Sequence, residues 1–172
     1  MLINASKFFL VSAALGVFGF STTSAQAASN SAAANTNSTV ISAVTVTKNT
    51  NLVFGTAVTG TSAGTVAIAP TAAGTQSCTV IICTGGGNSA ASFSLAGAAG
   101  YTATLTAPAT VSLTGPGTAM TATLSNSLTA NKLLLTGNST TDTFYMGGSL
   151  AVGANQAAGA YTGTFTISVA YQ

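Results

Sequence analysis

Near the end of this chain apolar residues alternate with small or polar ones, most of them Thr or Ser. From Tyr161 the odd positions are Tyr161, Gly163, Phe165, Ile167, Val169 and Tyr171, and the even positions are Thr162, Thr164, Thr166, Ser168, Ala170 and Gln172. Successive side chains of an extended chain point to opposite faces, so this period predicts a strand with one buried and one wet face. Thr, Val, Ile, Tyr and Phe all suit a pleated surface. The chain stops where this strand stops, so the strand is expected to lack a neighbour supplied from beyond it.

Further short strand candidates run back along the chain, at 52–58, 64–69, 78–83, 91–96, 101–106, 110–114, 119–124, 132–136, 143–146 and 149–153. Gly, Asn, Ser and Pro separate them, as in Gly85-Gly86-Gly87-Asn88 and Gly115-Pro116-Gly117. Short strands at such spacing predict an all-β fold, an antiparallel β-sandwich or barrel. Leu128–Leu135 is the best local helix candidate, and it is short and uncapped. No repeat of fixed period points to a solenoid. Val40–Thr47 is strand-like, with Val40, Val44 and Val46 on one face, and Lys48–Asn51 is a polar break.

Chemistry is constrained by what is missing. The sequence has no Arg, Glu, His or Trp, and its charges are Lys7, Lys48, Lys132 and Asp142. A soluble domain carries about a quarter charged residues. So few charges provide no basic patch for nucleic acid. One carboxylate and no histidine leave no acid–base pair, so no catalytic residues, no metal ligands and no cofactor are expected. Gly85-Gly86-Gly87 lacks the Lys of a phosphate loop and reads as a turn. Low net charge also means little repulsion between copies, which favours association.

Residues 1–27 read as a cleaved signal peptide, with Lys7, the apolar run Phe8–Phe20 and the cleavage site Ala25-Gln26-Ala27. The mature chain is then exported, to the cell surface or beyond. Residues 28–39, rich in Ala, Ser and Asn, read as a flexible arm. Residues 40–172 read as a single β domain. Export brings Cys78 and Cys83 into an oxidising compartment. Five residues of extended strand span roughly 16 Å, whereas a disulfide needs Cα atoms within about 7 Å. The pair bonds only if Thr79-Val80-Ile81-Ile82 makes a tight turn; otherwise both are small buried hydrophobes.

The C-terminal run resembles the signature of chaperone–usher pilus subunits: Tyr171 is penultimate, Gly159 is fourteenth from the end, and apolar residues alternate between them. Asn51–Thr56, Gly64–Ile68, Ala91–Gly97 and Gly147–Gly153 give a wider resemblance, over about Thr45–Gln172, to the bacterial secreted domain-of-unknown-function family 4402. The segment around Cys78 and Cys83 fits it least. The pilin resemblance, which extends to spore-coat-U-like proteins, implies an Ig-like, pilin-like sandwich. It implies that Gly159, Tyr161, Phe165, Ile167, Val169 and Tyr171 border a groove that a periplasmic chaperone covers. The implied function is a fibre or pilus subunit that assembles by strand donation, with Val40, Val44 and Val46 on the donor. Its partners are then other copies or related subunits, a periplasmic chaperone and an usher. A self-complete extracellular binding or adhesin domain and a small outer-membrane β-barrel are the alternatives.

Overall fold

A computed structural model describes residues 30–172. The expected signal peptide, 1–27, lies outside the described residues. Residues 30–43 are without secondary structure and exposed. Thr39–Gln172 forms a compact unit. The unit is all-β, built of antiparallel sheets that curl into a half-barrel. Its strands are β1 (Thr45–Thr50), β2 (Thr56–Val58), β3 (Gly64–Ile68), β4 (Gln76–Thr79), β5 (Ile82–Gly85) and β6 (Ala91–Ala96). There follow β7 (Thr102–Thr106), β8 (Thr110–Leu113), β9 (Met120–Asn126), β10 (Lys132–Leu134), β11 (Thr143–Val152) and β12 (Ser168–Tyr171). A 3-10 turn, Thr129–Asn131, stands where Leu128–Leu135 offered its helical pattern.

The hub is β11. Its residues 143–146 pair with β6, 148–152 pair with β3, and 146–150 pair with β9. Met146 pairs with both Ala91 and Asn126, and Leu150 with both Val66 and Ala122, so β6 and β3 share one edge and β9 takes the other. Two separate strands, 143–146 and 149–153, are expected from the sequence because Gly147-Gly148 lies between them. The glycines instead keep one strand continuous. A side chain at Gly147 would collide with the Ile68 carbonyl, and one at Gly148 with the Thr123 carbonyl. Only bare backbone lets β3 and β9 close on β11 from both sides here.

The inner face of β11 serves two cores. Phe144 and Met146 pack with Phe93, Leu95, Ala103, Leu105 and Leu135. Leu150 and Val152 pack with Phe54, Val66, Ile68, Ile81 and Met120. Phe93 and Phe144 stack with ring centroids 5.3 Å apart. A second sheet, in the order β10-β7-β12, borders the Phe144 core.

Two further expectations change. The candidate strand 78–83 is broken: β4 ends at Thr79, Val80 turns with φ of 71°, and β5 starts at Ile82. The turn brings Cys78 and Cys83 to a Cα separation of 5.8 Å, and they form a disulfide. The polar break at Lys48–Asn51 is shorter than expected, because Lys48–Thr50 remain in β1 and pair with β6 across a register shift.

Candidate functional site

Only the last third of the expected strand 160–171 is laddered on β7. Ser168–Tyr171 pairs with Ala103–Thr106 as β12. Upstream, Thr162 and Thr114 exchange two backbone hydrogen bonds, of 2.9 and 2.8 Å. Residues 163–167 lie between these two attachments. Their inner and outer positions still alternate, with Phe165, Ile167, Val169 and Tyr171 half-buried and Thr164, Thr166, Ser168 and Ala170 exposed.

This alternation also fixes where the backbone points. The groups of Thr162 aim at Thr114, and the Gln172 N–H donates to the Thr102 carbonyl at 3.0 Å. N–H and C=O groups reverse direction at each residue of an extended strand. The even residues from 162 to 172 therefore aim at β7 and β8, and the odd residues from 163 to 171 aim the opposite way. No ladder forms on that opposite side among the described residues.

The other rim of the same core is β1. It pairs with β6 along one edge, and no ladder is formed on its other edge among the described residues. Val44 and Val46 pack on the Phe144 core together with Phe165, Ile167, Val169 and Tyr171. The two rims meet at Tyr171, whose hydroxyl donates to the Ser42 carbonyl at 2.9 Å and accepts from the Ala98 N–H at 2.7 Å. Tyr161 anchors the other end of the run. Its hydroxyl donates to the Ala157 carbonyl at 2.9 Å and accepts from the Gly117 N–H at 3.0 Å. Gly159 enters the run with φ of 143°, and a side chain there would strike Pro116.

The candidate donor residues are split by this arrangement. Val44 and Val46 sit against their own domain's core, and Thr45–Thr47 is hydrogen-bonded into β1. Val40 is 91% exposed. Among the described residues, 30–44 join no ladder, and the Tyr171–Ser42 contact, which no spacing in the sequence encodes, ties the end of that stretch to the terminal run.

Sequence reasoning missed an opening on the opposite side of the terminal run. Residues 107–113 face residues 163–167 between the pairs Thr106–Ser168 and Thr114–Thr162, seven residues against five. The longer side bows out, and Pro108, which has no N–H, interrupts it. The result is a cleft of about 770 Å³ between Pro108–Thr114 and Thr162–Thr166. No local pattern marks it, because its two walls lie about fifty residues apart in sequence.

Residues 44–171 match the family described as Domain of unknown function (DUF4402). The chain belongs to that family. None of the curated proteins and none of the solved structures matches it. Among the described residues no group of His, Cys, Asp and Glu is arranged to hold a metal. Asp142 is buried and accepts hydrogen bonds from the Thr136 N–H and hydroxyl and from the Gly137 N–H, all between 2.8 and 3.2 Å. That set of donors makes it the clasp of the 136–142 turn.

Proposed function

We propose that the protein is an exported structural subunit of a cell-surface fibre, in which a strand from another copy completes the domain. The observation that carries this reading is the terminal run's unladdered edge beside the unladdered edge of β1, with half-buried Phe165, Ile167 and Val169 beneath. An added strand gains hydrogen bonds from the odd residues, and its side chains cover that apolar rim. Covering three or four such side chains contributes on the order of 1.5–3 kcal/mol each before ordering costs. The donor is the segment upstream of Ser42, because Thr45–Thr47 already belongs to β1. An open edge of Thr, Ser and Val has no charged residue to discourage wrong pairing. A periplasmic chaperone to cover it, and an usher to exchange it, are the partners this implies.

The test is a self-complemented chain. Residues 28–41 are deleted from the N-terminus and appended after Gln172 through a short Gly/Asn turn. Linkage makes donation intramolecular, so no partner is needed. The graft should be monomeric and melt higher than the bare deletion, while the intact chain forms ladders. A bare deletion that is a stable monomer melting as high as the graft would sink the proposal.

A further inference from the structure

We infer that the cleft between β8 and residues 163–166 is a binding site for a neutral, hydroxyl-rich ligand of sugar size. One wall carries Thr110 and Ser112 and the other Thr164 and Thr166, with Val111 and Phe165 also lining it. Thr110 and Ser112 share the parity of Thr114, whose groups aim at Thr162, so their N–H and C=O groups face those of Thr164 and Thr166. No backbone hydrogen bond joins these two pairs across the opening among the described residues. The cleft thus offers backbone donors and acceptors together with hydroxyls that do both.

Three other ligand classes fit poorly. A charged ligand meets no counter-charge, because none of Lys48, Lys132 and Asp142 lines the cleft. An apolar ligand would bury backbone groups unpaired, at about 1–3 kcal/mol each. A peptide strand cannot run through, since the Thr114–Thr162 pair closes one end and the β7–β12 ladder the other. A sugar satisfies the hydroxyls and the backbone groups of both walls. The volume of about 770 Å³ lies within the usual ligand-pocket range of roughly 300–1,000 Å³. The cleft uses the even side of the terminal run and strand donation the odd side, so one copy can do both and each idea stands or falls alone.

The experiment is a titration of the ¹⁵N-labelled full chain, followed by amide shifts. The probes are glucose, galactose, N-acetylglucosamine and lactose, with sialic acid as the charged comparison. At least one neutral sugar should shift amides of 109–114 and 162–166 at millimolar concentration. The double variant Thr164→Val, Thr166→Val, at exposed positions, should weaken that binding at least tenfold with the remaining spectrum unchanged. A glycan array then separates a free sugar from the terminal residue of a longer glycan. No shift with any neutral probe, shifts elsewhere on the domain, equal binding of sialic acid, or undiminished binding by the double variant would each overturn the inference.

Discussion

β11 and the terminal run carry the same alternation and end in different states. On β11 the inner residues Phe144, Met146, Leu150 and Val152 are at most 5% exposed. Along the terminal run Phe165, Ile167, Val169 and Tyr171 are only half-buried. The difference is one of neighbours. β11 is laddered along both edges, whereas the terminal run is laddered along part of one edge. Alternation assigns faces; burial also requires strands on either side. A run that has the face without the neighbours leaves its apolar residues half-buried.

The largest effect should come from β11. Phe144→Ala removes a fully buried ring that stacks on Phe93. Denaturant melts should show a loss of about 3–5 kcal/mol. Phe165→Ala, with identical chemistry at a half-buried site, should cost only about 1–2 kcal/mol in the isolated chain. In strand-complemented polymer the second loss should approach the first. Equal losses in the isolated chain would erase the contrast between the two strands.

A middle-sized effect tests whether the rim is mechanically separate from the far edge of the β11 sheet. There β4 is the end strand, and the Cys78–Cys83 bond joins it to β5. Closing so short a loop contributes about 2 kcal/mol in the chain-entropy account. Reduction, or Cys78→Ala with Cys83→Ala, should lower stability by that amount. Amide exchange should rise in β4, β5 and β2 while β12 stays unchanged. Loss of protection in β12 would mean the two regions open together.

Much of the fold was legible because it depends on local pattern. Ala91–Ala96 is a strand by its alternation and is β6 in the structure. Legibility failed where two segments distant in sequence compete for the same place. Gly147-Gly148 looks like a break until β3 and β9 are known to press on it. Thr79–Ile82 looks like a strand because β-branched residues hide a turn that Cys78 and Cys83 close. Ser42 carries no local sign that Tyr171 will grip its carbonyl. The alternation of the final residues marked which of them turn inward. The cleft was not legible, because it arises from a mismatch in length between segments about fifty residues apart.

The smallest effect belongs to Tyr171. Its hydroxyl joins the terminal run to Ser42 and to Ala98, and its ring packs edge-on against Tyr101 at 5.7 Å. Tyr171→Phe keeps the ring and deletes two hydrogen bonds at a partly exposed site. Each such bond contributes on the order of 0.5–1.5 kcal/mol, and water replaces part of both at this partly exposed site, so the global cost should lie at the low end of the sum, about 1 kcal/mol. The local consequence should be larger in kind, because the hydroxyl holds the chain entering β1 against the end of β12. In Tyr171→Phe, limited proteolysis should extend from the arm into residues 42–44, and amide exchange of Val44 should rise while β6 and β11 keep their protection. Tyr161→Phe serves as the control: it also loses hydroxyl bonds, but at the opposite end of the run. It should leave residues 42–44 as protected as before. If both variants loosen 42–44 equally, the two rims are held by general packing and not by the tyrosine at their junction.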